Sequence, residues 1–284
     1  MLLTLIQTSQ NRKKELARFI ESVNKQKNVD FSRLQLIFID QGDNESVFCQ
    51  LNPSIKFTYV KTNRCSLSHA RNIGLPLVEG KYVCFPDDDC WYEPDTLCRA
   101  LSVLDNENCQ GVSGLGANEE GKLTSVFPNK DAVLTNVKRC GAISYTLFFV
   151  YSEGVFFDEN IGVGSPYNLG AGEETDYLLT LMENKNYKVL YKKDLIIHHP
   201  IQEDVYDQSF LLKKFYSYSR GAGFLMKKHR FPIRYKIEQF GRPLVGMFFY
   251  LLKGDLFRSK KSFFMLKGKI EGIRFNIPAQ GGKQ

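Results

Sequence analysis

The chain has 284 residues, of which 43% are hydrophobic, enough for one large α/β domain with an appendage but short for two full domains. It contains no run of roughly 20 apolar residues that would span a bilayer, and its short apolar N-terminus lacks the basic region of a signal peptide. The seven cysteines, at positions 49, 65, 84, 90, 98, 109 and 140, form no CxxC pair, which argues against a disulfide framework or a zinc ribbon. We therefore expect a cytoplasmic protein with reduced cysteines.

Charge is distributed unevenly along the chain, whose net charge is +7. Residues 1–209 contain 21 lysines and arginines against 28 acidic residues, a net charge of −7. Residues 210–284 contain 17 against three, a net charge of +14. The two parts therefore have different roles, and the basic tail suits an anionic partner such as nucleic acid or lipid.

The first 110 residues alternate strand-like and helix-like patterns. In chain order, strands are predicted over 2–8, 34–39, 57–60 and 81–85, and helices over 16–23, 66–78 and, behind Pro94, 97–104. Repeated strand-helix-strand units predict an α/β fold with a doubly wound, mainly parallel sheet of Rossmann-like type. Ligands bind such sheets beyond the carboxyl ends of the strands, where Asp40 and the carboxylates after Phe85 are expected.

After residue 110 the pattern becomes mixed. Strands are predicted over 111–115, 123–127, 143–151 and 188–197, a loop over 162–172 and a helix over 173–184. Helical spacing with intervening lysines returns at 210–230, a short apolar segment covers 243–252, and a basic segment covers 260–267. These features predict a helical, basic extension.

Three adjacent carboxylates directly follow the predicted strand over 81–85, and we call Asp87, Asp88 and Asp89 the aspartate triplet. Their mutual repulsion costs on the order of several kcal/mol unless a cation lies among them, and a hard divalent ion is the ordinary partner. In extended backbone the first and third residues point to one side and the second to the other. One side would hold metal and phosphates while the other meets a ribose; the alternative is a solvated acidic turn.

Five short motifs follow the predicted strands in order. They are Thr8-Ser9-Gln10-Asn11-Arg12, Phe38-Ile39-Asp40-Gln41-Gly42, Ser68-His69-Ala70-Arg71-Asn72-Ile73-Gly74, the aspartate triplet, and Gly172-Glu173-Glu174-Thr175-Asp176. With them, about the first 200 residues resemble the family 2 glycosyltransferases, whose nucleotide-binding fold is called GT-A. The resemblance implies a GT-A catalytic domain over 1–205, with its nucleotide-binding half over about 1–110 and its acceptor half over about 111–205. Residues 206–284 would form the extension.

The resemblance also implies roles for single residues. The donor site would comprise Thr8, Asn11, Arg12, Asp40, Arg71, Asp87 and Asp88, with Asp40 at the base, Arg71 near the diphosphate and Asp88 at the ribose. Asp89 would be the main ligand of Mn²⁺ or Mg²⁺, with Asp87 and His199 completing the metal site. The structural alternatives are an Asx turn for Asp40, a solvated helix residue for Arg71 and a non-ligating imidazole for His199.

Glu173 and Glu174 open the predicted helix over 173–184. Acidic residues in a first turn are stabilised by the helix dipole, so a purely structural role is one interpretation. The resemblance implies instead that one of them is the general base. The family's base is usually the second residue of a Glu-Asp pair; that position is Glu174 here, and the change from Asp to Glu leaves Glu173 open as well.

These parts together predict an inverting, metal-dependent transfer of a sugar from a nucleotide diphosphate-sugar, UDP- or dTDP-linked by analogy, to an acceptor hydroxyl. Similar tails occur in relatives that build bacterial surface polysaccharides, so a lipid-linked glycan is the expected acceptor. A nucleotidyltransferase is one alternative, although residues 8–12 lack the glycines of its usual phosphate loop. A catalytically inactive scaffold is another, against which the intact acidic motifs argue.

The basic extension favours peripheral attachment to the inner, anionic face of a membrane, because short apolar faces bordered by Lys and Arg suit helices lying in a lipid interface. The alternative is a basic helical cap on the catalytic domain. Nucleic acid is not expected as a partner, since no recognised binding module is present.

Overall fold

The computed structural model describes residues 2–137, 142–201 and 207–278. The chain forms two compact units. The first comprises residues 1–65, 69–157 and 177–203, and the second comprises residues 66–68, 158–176 and 204–284. Cys140 and the expected domain boundary at 205/206 lie outside the described residues.

The first unit is built on a nine-stranded sheet. Its strands are β1 (Leu3–Ser9), β2 (Leu34–Asp40), β3 (Lys56–Lys61), β4 (Tyr82–Cys84), β5 (Trp91–Tyr92), β6 (Gly111–Ala117), β7 (Ala132–Val133), β8 (Leu147–Val150) and β9 (Val189–His198). They are arranged in the order β3-β2-β1-β4-β8-β6-β9-β5, and β7 pairs with β9.

Pairing direction divides the sheet. Strands β3, β2, β1 and β4 are all parallel, and β6 is parallel to β9, whereas β8 pairs antiparallel with both β4 and β6.

The described helices are α1 (Lys13–Asn24), α2 (Leu67–Gly74), α3 (Thr96–Asn106), α4 (Glu173–Asn184), α5 (Gln208–Lys228), α6 (Ile233–Leu252) and α7 (Leu256–Arg274). The predicted α/β class, with a mainly parallel sheet and C-terminal helices, is confirmed.

The sheet has an apolar core on both faces, which explains why β2 is buried at all seven positions. Successive side chains of a strand point to opposite faces. Leu36 and Phe38 accordingly belong to one buried cluster and Ile37 and Ile39 to the other. Helix α1 buries the stripe of apolar residues that its spacing predicts, including Phe19. Each such large side chain contributes about 1.5–3 kcal/mol through burial.

Three predicted elements differ from those observed. In the strand predicted over 143–151, Ser144–Thr146 form a 3₁₀ turn and only Leu147–Val150 are strand. The helix predicted over 66–78 ends at Gly74, and a 3₁₀ turn over Leu75–Leu77 follows, because Pro76 has no amide hydrogen to continue the helix. The strand predicted over 123–127 is reduced to a single bridge between Leu123 and Ala117. A turn at Asn118, whose side chain accepts two backbone amides, directs the chain away, and the pairing with β9 is made instead by β7.

The second unit contains three long helices whose close packing depends on glycine. A Cβ at Gly272 of α7 would lie 2.0 Å from the carbonyl oxygen of Arg220 in α5, and one at Gly268 would lie 2.4 Å from that of Tyr216. Only glycine permits such an approach of two backbones. No helix among the described residues is long and apolar enough to cross a membrane.

A buried charge cluster joins the beginning of α4 to the end of α5 within the second unit. The Asp176 carboxylate, 2% exposed as a residue, accepts hydrogen bonds from Lys228 Nζ at 2.9 Å and from His229 Nε2 at 2.8 Å. Lys228 also donates to Asp158 at 2.6 Å. Burial opposes the charge of Lys228, but the two carboxylates outweigh it and raise its pKa. The cluster therefore ties two helices together through ions that have lost most of their water.

We expect Asp176→Asn to lower the free energy of unfolding by about 2–3 kcal/mol, because the variant loses charge-assisted hydrogen bonds and leaves the partly buried Lys228 less compensated. Urea unfolding followed by circular dichroism measures the change. The matched control is Asp194→Asn, whose side chain is 78% exposed and which should change stability by less than about 0.5 kcal/mol. Equal stabilities of the two variants would contradict a structural role for the cluster.

Candidate active site

The site of the first unit lies where parallel strands end. Strands β1 and β2 run in register from Leu3 opposite Leu34 to Ser9 opposite Asp40, so both end at the same level. Strand β4 pairs with β1 on its other side and leads directly into the aspartate triplet. Since the carboxyl ends of parallel strands share one edge, these segments converge there.

Two side chains, one at the last residue of β1 and one three residues further on, hold the aspartate triplet. Ser9 Oγ donates to Asp88 Oδ2 at 2.6 Å. Arg12 Nη1 donates to Asp89 Oδ2 at 2.5 Å and to Asp88 Oδ1 at 3.2 Å. The first motif therefore supplies both a hydroxyl and a positive charge to the carboxylates.

Asp87, Asp89 and His199 form a group that could hold a metal ion, with one potential ligand atom from each lying within 4.8 Å of the others. His199 Nε2 lies 2.9 Å from Asp89 Oδ1 and 4.0 Å from Asp87 Oδ2. The carbonyl oxygen of Pro200 lies 2.7 Å from His199 Nδ1 and can accept only from a protonated nitrogen. This contact fixes the ring so that Nε2 faces the carboxylates.

Burial and neighbouring charges move the pKa values of this group in different directions. Burial raises the pKa of Asp88 to about 6, although Ser9 and Arg12 oppose the shift. Burial would also raise the pKa of Asp89. The hydrogen bond and charge of His199 outweigh burial, with Arg12 acting in the same direction, so the pKa of Asp89 is lowered. The pKa of His199 is raised because Asp89 outweighs the effect of burial. Each carboxylate therefore depends on a nearby cation.

The residues present fit a divalent metal ion. Asp89 is 5% exposed, and Arg12 and His199 contact different oxygens of its carboxylate, which shows that this position requires positive charge. Two carboxylates and an imidazole are ligands that Mn²⁺ accepts, and carboxylates are those that Mg²⁺ prefers.

Arg71 brings a second guanidinium to the aspartate triplet. It lies in α2 with 2% of its surface exposed, so the alternative of a solvated helix residue does not hold. Its Nη2 donates to Asp87 Oδ1 at 3.1 Å, and its guanidinium carbon lies 5.3 Å from the centre of the Phe157 ring. Ser144 Oγ donates to the same Asp87 oxygen at 3.2 Å. Such a buried ion pair holds Asp87 in one orientation.

Asp40 is fully buried, and its carboxylate organises the loop that follows β2. It accepts hydrogen bonds from the amides of Gly42 and Asn44, the Asn44 side chain and the Tyr59 hydroxyl, at 2.8–2.9 Å. Burial would raise its pKa, but these hydrogen bonds lower it. The turn-forming interpretation thus describes the geometry, and direct contact with a donor base stays a prediction.

The remaining predicted donor residues also belong to the first unit. Thr8 is partly buried near the end of β1, and Asn11 Oδ1 accepts the amide of Asp43 at 3.1 Å, which joins the loops after β1 and β2. A Cβ at Gly42 would lie 2.1 Å from the carbonyl oxygen of Gln10, so these two loops meet at a glycine.

Glu173 and Glu174 open α4 and belong to the second unit. Glu173 is buried, and Gly162 at φ +104° approaches it so closely that a Cβ there would lie 2.8 Å from Glu173 Oε2. Glu174 is partly exposed. Of the two, Glu174 presents more of its surface to solvent.

Some contacting residues were not predicted from the sequence, among them Ser9, Ser144 and Tyr145. The Tyr145 ring stacks on His199 with 4.7 Å between ring centres and an angle of 17°. Ser9 stands inside the first motif, so that motif could have indicated it. Ser144 and Tyr145 lie more than 50 residues from the triplet without a recognisable pattern, and only the fold brings them near it.

We expect Asp89→Asn and His199→Ala each to weaken Mn²⁺ binding at least about tenfold, because each removes one of the candidate ligands. Titration followed by electron paramagnetic resonance, with and without UDP, measures the affinity. Glu79→Gln removes a carboxylate that pairs with Lys56 and serves as the control, with unchanged affinity expected. Wild-type affinity in Asp89→Asn would show that this group does not hold the ion.

The chain is similar in sequence to known glycosyltransferases. The family model described as glycosyl transferase family 2 matches residues 4–160. An uncharacterized glycosyltransferase from Haemophilus influenzae is 28% identical over 106 residues, which cover 37% of this chain and 35% of that protein. The aligned stretch therefore spans about a third of that relative's length.

Solved structures share the fold. The S. aureus protein TarS 1–349 in complex with UDP-GlcNAc superposes with a TM-score of 0.61 at 14% identity, covering 92% of this chain and 90% of that one. The mannosyltransferase PcManGT from Pyrobaculum calidifontis, in complex with GDP-Man and Mn²⁺, gives a TM-score of 0.58 at 12% identity, covering 95% and 86%. At these identities the likeness shows the fold. Because the family model matches more than half of the chain, including the aspartate triplet, the protein belongs to glycosyl transferase family 2.

Proposed function

We propose that the protein is a metal-dependent glycosyltransferase that moves a sugar from a nucleoside diphosphate-sugar to an acceptor hydroxyl with inversion. The observation that carries the proposal is the cluster of Asp87, Asp89 and His199 at the carboxyl ends of parallel strands, supported by Arg12 and Arg71. Family membership supports the reaction class.

Negative charge develops on the departing diphosphate, so the donor side requires fixed positive charge. Arg71 is held in place by Asp87 and the neighbouring aromatic ring, which keeps its orientation fixed during the reaction. Arg12 shares its charge between two carboxylates on the exposed side of the site. A divalent ion held by Asp89, Asp87 and His199 would supply Lewis acidity that offsets the leaving-group charge.

We assign the general base to Glu174. It is partly exposed, whereas Glu173 is buried beside Gly162, so Glu174 is the more accessible of the two. Its carboxylate accepts the proton of the acceptor hydroxyl while that oxygen bonds to the anomeric carbon and the opposite bond to the diphosphate oxygen breaks. A positioned base contributes about 10²–10⁴ in rate. The anomeric carbon passes through an oxocarbenium-like state, and a single displacement inverts its configuration.

Within this class we propose a UDP- or dTDP-sugar as donor and Mn²⁺ as the ion. Analogy at Asp40 favours a UDP- or dTDP-sugar, whereas the structural neighbours hold UDP-GlcNAc in one case and GDP-Man in the other. An imidazole among the ligands favours Mn²⁺ over Mg²⁺, because Mg²⁺ is usually bound through carboxylates, phosphates and water.

The acceptor that we propose is a lipid-linked glycan in polysaccharide biosynthesis, elongated at the inner face of a membrane. Support comes from the C-terminal residues 210–284, whose net charge of +14 complements an anionic surface. An inactive scaffold and a nucleotidyltransferase are the competing functions.

We expect release of nucleoside diphosphate from one member of a panel of UDP-, dTDP- and GDP-sugars with Mn²⁺. Glu174→Gln should lower kcat about 10³-fold with little change in donor KM, because the neutral amide cannot accept the proton. Glu183→Gln, an exposed glutamate of the same helix, is the control and should retain activity.

If Glu173→Gln abolishes turnover while Glu174→Gln does not, the base is Glu173. Binding of no nucleotide-sugar with either metal would favour the scaffold. Release of pyrophosphate from a nucleoside triphosphate in the presence of a sugar phosphate would favour the nucleotidyltransferase.

A further inference from the structure

Helix α6 carries a row of large apolar side chains that point into solvent. Between 44% and 89% of their surface is exposed. This row, which we call the α6 apolar face, consists of Ile233, Ile237, Leu244, Val245, Phe248, Leu251 and Leu252. An exposed apolar patch of this extent on a folded protein marks a binding surface.

The α6 apolar face lies along one side of the helix and is not a scatter of single residues. At 100° per residue its members lie within a sector of about 120°, in two groups separated by Gly241. The opposite side of the helix is covered: Pro243 is buried, Ser259 Oγ of α7 donates to the Met247 carbonyl oxygen at 2.8 Å, and Lys269 Nζ donates to the Gln239 carbonyl oxygen at 2.8 Å. Packing on α7 therefore leaves the apolar stripe outward.

Basic side chains accompany this stripe. Residues 233–253 contain four lysines and arginines, Arg234, Lys236, Arg242 and Lys253, and one acidic residue, Glu238. The Glu238 side chain is paired with Arg242. The helix therefore carries a net positive charge together with its apolar face.

The combination of apolar and positively charged side chains indicates which partner the α6 apolar face binds. A second copy of the chain would cover the apolar side chains but would bring two cationic surfaces together, which is unfavourable. An anionic lipid surface satisfies both requirements, since acyl chains receive the apolar side chains while lysine and arginine stems extend to the phosphate groups. Because α6 is not long and apolar enough to cross a bilayer, it would lie in the plane of the surface.

We propose that α6 is a membrane-interface helix, which inserts the α6 apolar face among the acyl chains of an anionic membrane and places its basic residues at the headgroups. The proposal concerns a surface of the second unit and does not depend on the glycosyl transfer reaction.

Flotation of the full chain with vesicles tests it. We expect binding to vesicles of equal parts phosphatidylglycerol and phosphatidylcholine, and much weaker binding to phosphatidylcholine alone. Val245→Glu combined with Leu252→Glu should reduce binding at least about tenfold, because two apolar side chains that would lie among the acyl chains become charged. Both positions are more than two-thirds exposed, so the protein should fold, as unfolding curves will show.

Val126→Glu is the matched control, since Val126 is 89% exposed, lies outside α6, and should leave vesicle binding unchanged. Replacing Arg242 and Lys253 by Gln should reduce the preference for anionic over neutral vesicles. Nucleoside diphosphate release in vesicle-free solution should be equal in wild type and in the Val245→Glu, Leu252→Glu protein, which separates this proposal from the proposed reaction.

Wild-type protein that does not float with anionic vesicles would overturn the proposal, as would a double variant that floats like wild type. A change from dimer to monomer in the double variant by light scattering, without vesicle binding by either protein, would show that the occupant is a second copy of the chain.

Discussion

The first unit depends on the electrostatic repulsion within the aspartate triplet. Three adjacent carboxylates at the end of a buried strand are stable only where positive charge and hydrogen-bond donors converge on them. Arg12, Arg71 and His199 supply charge, and Ser9 and Ser144 supply hydroxyl groups. The positions of these five side chains therefore follow from the charge of the triplet itself.

Strand register explains how these partners reach the triplet. Residue for residue pairing of β1 with β2 and of β1 with β4 brings three loops to one edge of the sheet. His199 is more than 100 residues away from the triplet in the sequence. It reaches the triplet because β9 runs parallel to β6, and because the His199 amide, just after β9, donates a hydrogen bond to the Ala117 carbonyl oxygen. A shift of one residue in the register of β9 would exchange the positions of His198, its last residue, and of His199, which follows it, because neighbouring side chains alternate between faces.

The second unit is held together by close helix packing and by a buried ion cluster. Its helices approach at glycines, where carbonyl oxygens occupy the space of a side chain, and a buried Asp176 joins Lys228 and His229. Helix α7 packs on one side of α6, so the other side, which carries the apolar side chains of α6, is exposed. The basic composition of the C-terminal part thus becomes an organised surface only through the helix packing.

The sequence by itself determined the α/β class, most helices and strands, and the acidic motif at a strand end, because these depend on local periodicity and neighbouring residues. The family resemblance indicated that His199 lies near Asp89, as observed, but other partners were not determined: His198 pairs with Glu93 and stacks on Trp91, and Asp40 accepts hydrogen bonds from its own loop. The strand predicted over 123–127 was wrong: of this segment only Leu123 forms a bridge, with Ala117, and the next strand along the chain is β7. Such choices were left to the tertiary structure, since they depend on which distant segments meet and in which register.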